Sequence, residues 1–88
     1  MGAEHDPSAA IGTVSHYFSH LSVAAVTLNG PLAVGQRIHL RGHTTDLEQL
    51  VDSMQVDHAP VAAAGPGDDV AIHVNGHVRE GDLIFPEG

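Results

Sequence analysis

Cysteine, lysine and tryptophan are all absent from this chain of 88 residues. Without cysteine, the protein has no disulfide bond, no thiol nucleophile and no zinc site of the cysteine type. Aromatic side chains are also scarce, because Tyr17, Phe18 and Phe85 are the only three. A core must therefore be assembled from valine, leucine, isoleucine and alanine, and a chain of this length has room for one such core.

Long apolar segments are absent too. No run approaches the roughly 18 apolar residues that a membrane-spanning helix needs. The first eight residues are polar and acidic, and they lack the basic start and the apolar stretch of a secretory signal. The sequence therefore predicts no membrane association and a cytoplasmic location.

Basic side chains are few. Arg37, Arg41 and Arg79 stand against eleven acidic residues, which gives a formal net charge of −8. Proteins that hold nucleic acid through its phosphates usually need clustered lysine and arginine. Tight nucleic-acid binding by this chain alone is therefore not expected, and the acidity is interpreted as favouring solubility.

Alternation of apolar and polar residues predicts β-strands along most of the chain. Residues 37–41 (RIHLR) place two apolar side chains on one face at a period of two, and residues 70–75 alternate in the same way. Asn-Gly pairs at residues 29–30 and 75–76 mark turns. Six strands are predicted, near residues 10–18, 21–28, 36–42, 45–56, 68–75 and 82–85.

Residues 44–56 fit two patterns. Four apolar residues have the spacing of an amphipathic helix: Leu47, Leu50, Val51 and Met54. The strand interpretation requires a β-bulge near residues 52–53, which changes the phase of the alternation. It leaves Leu50 on the outer face and turns four side chains inward: Leu47, Val51, Met54 and Val56.

An ordered series of short segments carries a family resemblance. The segments are residues 12–18 (GTVSHYF), 23–24 (VA), 32–38 (LAVGQRI), 42 (G), 53–56 (SMQV), 67–68 (GD) and 78–82 (VREGD). Together they resemble the second domain of translational GTPases such as elongation factor Tu, and above all the small stand-alone proteins that are similar to translation elongation factors. A similar barrel occurs at the C-terminus of some collagenase-like peptidases.

This resemblance implies an all-β fold, a six-stranded antiparallel Greek-key barrel over residues 10–85. Residues 1–9 would then form a flexible tail before the barrel, and residues 86–88 a tail after it. The resemblance also implies that residues 45–56 are one long bent strand, and we adopt that interpretation over the helix. The chain departs from the family at Gln36, where aspartate is usual, and it has no phosphate-binding loop.

Histidines are numerous, and six of the eight form pairs four residues apart: His16 and His20, His39 and His43, His73 and His77. On a helix this spacing could hold one metal ion, whereas on a strand it separates the two residues by about 13 Å. The histidines are therefore interpreted as solvated or capping side chains. No catalytic residue, no cofactor and no metal ligand is predicted.

The function predicted from these observations is a non-enzymatic binding module that docks to a protein or ribonucleoprotein, with a homo-oligomer also allowed. The residues expected to contact the partner are Leu50, Arg37, Arg41, His39 and His43. Two alternatives stay open. One is an accessory subunit of a separate enzyme such as a collagenase-like peptidase, and the other is a histidine-based metal-binding protein.

Overall fold

The computed structural model describes residues 7–87, which form a 3-10 turn (Pro7–Ala9) followed by β-strands. The strands are β1 (Gly12–Phe18), β2 (Val23–Leu28), β3 (Leu32–Ala33), β4 (Arg37–Arg41), β5 (Asp46–Leu50), β6 (Met54–Val56), β7 (Ala59–Pro60), β8 (Ala63–Ala64), β9 (Asp69–His73) and β10 (Leu83–Pro86). The predicted all-β class is confirmed. The described residues contain ten strands rather than six, because β3, β7 and β8 are short pairings that the alternation does not reveal and because the predicted strand 45–56 is divided into β5 and β6.

Most of the strands belong to one antiparallel sheet, in the order β5-β4-β10-β1-β2-β9-β6-β7, and β3 pairs separately with β8. Only residues 51–53 separate β5 from β6, although these strands lie near opposite ends of the sheet. The sheet must therefore curl until its two ends approach each other at that connection. The architecture is a curled antiparallel sheet around one core.

The ambiguous segment is extended and not helical. Val51 and Met54 are buried, Leu47 and Val56 are half-buried against the core, and Leu50 is 49% exposed. The expected single bulged strand is instead two strands with different partners, because β5 pairs with β4 and β6 pairs with β9. A register shift of the bulge type occurs elsewhere, in β1, between Val14 and His16.

The core is aliphatic, as the composition predicts. Its largest fully buried side chains are Leu28, Leu32, Ile38, Leu40, Met54, Ile72, Ile84, Val14, Val26, Val51, Val74 and Val78. Of the three aromatic residues, Phe85 is buried, Tyr17 packs against the edge of the core and Phe18 is partly exposed. Strand β4 contributes Ile38 and Leu40 to this core, so its alternate residues must face outward.

Regular structure is present near both ends of the described residues. Of the predicted N-terminal tail, residues 1–6 lie outside the described residues, and Pro7–Ala9 form the 3-10 turn. Strand β10 extends to Pro86, and the backbone N–H of Glu87 donates to the carbonyl of Arg37 at 3.0 Å. Strand β10 thus extends one residue past residue 85, the predicted end of the barrel. Within residues 7–87, no helix is long and apolar enough to cross a membrane.

Candidate functional site

The outward side of β4 and β5, here called the outer face, gathers most of the residues expected to contact a partner. Antiparallel pairing aligns three pairs on it: Arg37 with Leu50, His39 with Glu48, and Arg41 with Asp46. Ile38 and Leu40, which alternate with these residues in β4, point into the core. The side chains of Arg37, His39 and Arg41 therefore lie on the opposite side of the sheet. The pattern at 37–41 therefore locates the outer face correctly.

The predicted contact residues do not all share this surface equally. Leu50 and Arg37 are exposed neighbours, Arg41 is half-buried, and His43 is exposed in the turn between β4 and β5, beyond the paired rows. His39 is only 5% exposed. His39 is therefore not a solvated histidine, which is one of the two roles predicted for these residues, because carboxylates from neighbouring segments lie against its ring.

We call His39, Asp46, Glu48 and Glu87 the His39 cluster. The Nδ1 atom of His39 lies 3.1 Å from Oε2 of Glu87 and 3.6 Å from Oε2 of Glu48. Its Nε2 atom contacts Oδ1 of Asp46. Both ring nitrogens thus face carboxylates, an arrangement in which a protonated ring can donate two hydrogen bonds.

Three separate segments supply the His39 cluster. His39 comes from β4, while Asp46 and Glu48 lie two residues apart on β5 and therefore point to the same side of the sheet. Glu87 follows β10, whose Phe85 lies opposite His39 in the ladder. One ligand atom each from His39, Glu48 and Glu87 can be chosen so that all three lie within 4.8 Å of one another, a grouping able to hold a metal ion.

Sequence reasoning misses this cluster because its members are distant along the chain. His39 and Glu87 are separated by 48 positions. The useful signal is the alternation itself, since His39 and Glu48 both occupy outward positions of strands joined by a short turn. That signal identifies the contact only once the register between β4 and β5 is known.

Other histidines make simpler contacts. The Nδ1 atom of His16 lies 3.1 Å from Oε2 of Glu80, and Nδ1 of His73 lies 3.2 Å from Oδ2 of Asp52. All four of these side chains are largely solvent-accessible. Exposed ion pairs of this kind contribute little to stability, typically under about 1 kcal/mol.

A shallow open cavity of about 250 Å³ lies on another part of the surface. It is lined by Ala25, Gln55, Asp57, His58, Asp69, Val70 and Ala71. Asp57 and His58 both have positive φ angles, 51° and 66°, as a tight two-residue turn between β6 and β7 requires. The lining offers two carboxylates and one imidazole but no serine, threonine or lysine that could act as a nucleophile.

The fold and the site together define a small antiparallel β domain whose chemically richest region is a surface cluster of one imidazole and three carboxylates. No protein-family model matches the chain. The chain is 38% identical over 76 residues to an uncharacterized protease of Methanocaldococcus jannaschii, a match that covers 85% of this chain and 19% of the protease. The chain therefore spans about a fifth of the length of the curated relative that it matches.

Two solved structures share the fold. One is the crystal structure of the C-terminal domain of a protein described as a U32 peptidase of Geobacillus thermoleovorans, with a TM-score of 0.87, 17% identity, and coverage of 92% of this chain and 94% of that one. The other is its selenomethionine variant, with a TM-score of 0.82, 16% identity, and coverage of 86% and 96%.

These findings correct the predicted family. The chain is similar in sequence to a protease and in structure to the C-terminal domain of a U32 peptidase, and neither of these is a translation factor. The assignment to elongation factor-like proteins is therefore wrong. Glycine-centred turns and alternating strands occur in many small antiparallel β domains, so they do not identify a function.

Proposed function

We propose that the chain is a non-catalytic accessory domain of the kind present at the C-terminus of a U32 peptidase, and that it docks to the catalytic part of such an enzyme. The observation that carries this proposal is the difference in coverage between the two proteins of the match. The similarity to the M. jannaschii protease takes in most of this chain but only 19% of that protein. Catalytic groups of such a protease would then lie mainly in the part that this chain does not match.

The chemistry of the surface supports a binding role. The Ser15 hydroxyl donates to the carbonyl of Ala25 within the strand ladder, and the His39 ring faces carboxylates rather than a hydroxyl group. A serine–histidine catalytic pair needs the two side chains within hydrogen-bonding reach. Neither residue is placed for that task.

The outer face is the surface that we propose for docking. It lies on β4 and β5, and β5 ends the main sheet. Leu50 offers an exposed apolar contact, and Arg37 beside it offers a cation. An apolar anchor with charged neighbours is a common arrangement at the centre and rim of protein interfaces. The catalytic part of a U32 peptidase is the proposed occupant.

We also propose that the curled sheet closes into a six-stranded Greek-key barrel, in which β5 and β6, although they pair with different neighbours, together occupy the position of one barrel strand. The three-residue connection between them supports closure, since β5 pairs with β4 and β6 pairs with β9. An experimental structure with a solvent-filled gap between the two ends of the sheet would contradict this proposal.

Docking is tested with the M. jannaschii protease from which the matched segment of 76 residues has been deleted. The present chain is added and binding is measured by isothermal titration calorimetry. We expect a one-to-one complex, and we expect Leu50→Asp to weaken it at least tenfold, roughly the effect of losing an interface anchor. The control is Leu21→Asp, which changes an exposed leucine in the turn between β1 and β2.

Three results would count against the proposal. Absence of a complex would remove the docking role. Loss of binding with Leu21→Asp but not with Leu50→Asp would move the contact away from the outer face. Hydrolysis of casein by the purified chain alone would show that the domain is itself catalytic.

A further inference from the structure

We propose that the His39 cluster is a binding site for a divalent transition-metal ion such as Zn²⁺. Nδ1 of His39 and the carboxylates of Glu48 and Glu87 are the ligands, and Asp46 positions the ring. The site goes beyond docking to a peptidase, because an interface needs no metal ion.

The distances in the cluster match those between ligands of one ion. Zn²⁺ binds imidazole nitrogen and carboxylate oxygen at about 2.0–2.2 Å, so two ligands at a tetrahedral angle lie about 3.4 Å apart. The observed distances from Nδ1 are 3.1 Å to Glu87 and 3.6 Å to Glu48. One ligand atom from each of the three residues lies within 4.8 Å of the others, so the glutamate side chains need only adjust their rotamers to share one ion with His39.

Asp46 occupies the position of a second-sphere partner. Its carboxylate contacts Nε2 of His39, the ring nitrogen that does not face the two glutamates. Metal-binding histidines usually donate their second N–H to a carboxylate or carbonyl, which fixes the tautomer and the orientation of the ring. With the proton held at Nε2, the lone pair at Nδ1 points toward Glu48 and Glu87.

Burial and exposure are distributed as a binding site requires. The His39 ring is held in place by β4 and is nearly inaccessible, with 7% of its side chain exposed. Glu48 and Glu87 are more accessible, with 55% and 28% of their side chains exposed, so an ion can reach them from solvent. A cation there would also reduce the repulsion among three neighbouring carboxylates.

The ligand set favours a transition metal over Mg²⁺ or Ca²⁺. Imidazole nitrogen suits Zn²⁺ and its neighbours in the first transition row, whereas Mg²⁺ and Ca²⁺ prefer oxygen ligands. Three protein ligands leave a coordination position for water or for a group from a partner. Mg²⁺ is therefore the control ion, because the proposed site should bind Zn²⁺ but not Mg²⁺.

The test is an isothermal titration calorimetry experiment in which ZnCl₂ is added to the metal-free full chain at neutral pH. We expect one high-affinity site. Glu48→Gln is expected to weaken it at least tenfold, and Asp46→Asn by about 10- to 100-fold, the usual effect of removing a second-sphere partner. The matched control is Glu80→Gln. Glu80 also contacts a histidine, since its Oε2 lies 3.1 Å from Nδ1 of His16, but within residues 7–87 it belongs to no such cluster.

Nuclear magnetic resonance identifies the histidine that binds the ion. We expect the ring nitrogen signals of His39 to move first on addition of Zn²⁺, with those of His16 unchanged, and MgCl₂ to leave both unchanged. The amide spectrum checks that each variant folds, and Asp46→Asn and Glu48→Gln serve as independent variants.

The proposal is overturned by any of three outcomes. The chain does not bind Zn²⁺, or the affinity is the same in Glu48→Gln and Asp46→Asn as in the unaltered chain, or signals of other histidines move before those of His39. Because this titration uses the chain without any peptidase, its result is separate from the outcome of the docking experiment.

Discussion

The carboxylate of Asp82 lies in the place that a side chain on Gly42 would occupy. A Cβ atom built on Gly42 would be 1.8 Å from Oδ1 of Asp82 and 2.6 Å from its Cγ. Asp82 is buried, and its Oδ2 accepts a hydrogen bond from the backbone N–H of Arg79 at 2.8 Å. The carboxylate is therefore held in position and cannot easily move aside.

Gly42→Ala is expected to destabilise the fold by about 1–3 kcal/mol, the usual cost of forcing extra atoms into a packed site. The change is measured as the free energy of unfolding in urea. Gly65→Ala is the matched control, because a Cβ there would meet no atom within 4 Å and the residue has no positive φ. A similar loss of stability in both variants would contradict the steric explanation.

The same relationship can be tested by a double-mutant cycle. Asp82→Ala removes the carboxylate that blocks the space beside Gly42. The cost of Gly42→Ala should therefore fall by at least half when it is measured in the Asp82→Ala protein. An unchanged cost would mean that the alanine meets some obstacle other than the Asp82 carboxylate.

Leu50 and Val51 are sequence neighbours on opposite sides of the sheet, since Leu50 is 49% exposed and Val51 is 1% exposed. Leu50→Asp should change the free energy of unfolding by no more than about 0.5 kcal/mol, as ordinary surface substitutions do. Val51→Asp should cost several kcal/mol, because it buries an unpaired carboxylate. Leu47→Asp should fall between them, since Leu47 is half-buried. Equal losses at positions 50 and 51 would contradict the strand assignment.

Gln49 is a buried polar side chain that ties β5 to the turn after β9. Its Nε2 donates to the carbonyl of His73 at 2.9 Å, and its Oε1 accepts from the backbone N–H of Asn75 at 2.8 Å. Gln49→Ala should cost about 1 kcal/mol, because it removes two hydrogen bonds from the buried Gln49 side chain to partly buried backbone groups. It should also speed hydrogen exchange at the Asn75 amide. Gln55→Ala, at an exposed position, is the control and should have little effect on either measurement.

The strands with regular alternation are the part of the fold that can be predicted from the sequence. In β4, Ile38 and Leu40 alternate with polar residues, and the structure buries both. The segment 44–56 is harder, because its apolar residues change phase where β5 ends and β6 begins. The spacing of apolar residues within this segment is that of an amphipathic helix, whereas the structure has two strands that pair with different neighbours.

The His39 cluster and the role of Gln49 could not be predicted in the same way. Both depend on which strand lies next to which, and on the register between them. Glu87 reaches His39 only because β10 pairs with β4. Such pairings are set by the packing of the whole sheet and leave no pattern in either segment alone.

The pairing of β1 with β10 has a consequence for the engineering of this domain. The backbone N–H of Ile11 donates to the carbonyl of Ile84 at 2.7 Å, and Gly12 lies directly opposite Ile84. The polypeptide thus enters and leaves the sheet on adjacent strands, about 5 Å apart. We expect that a domain with this arrangement can be inserted into a surface loop of another protein without separating the secondary-structure elements on either side of that loop.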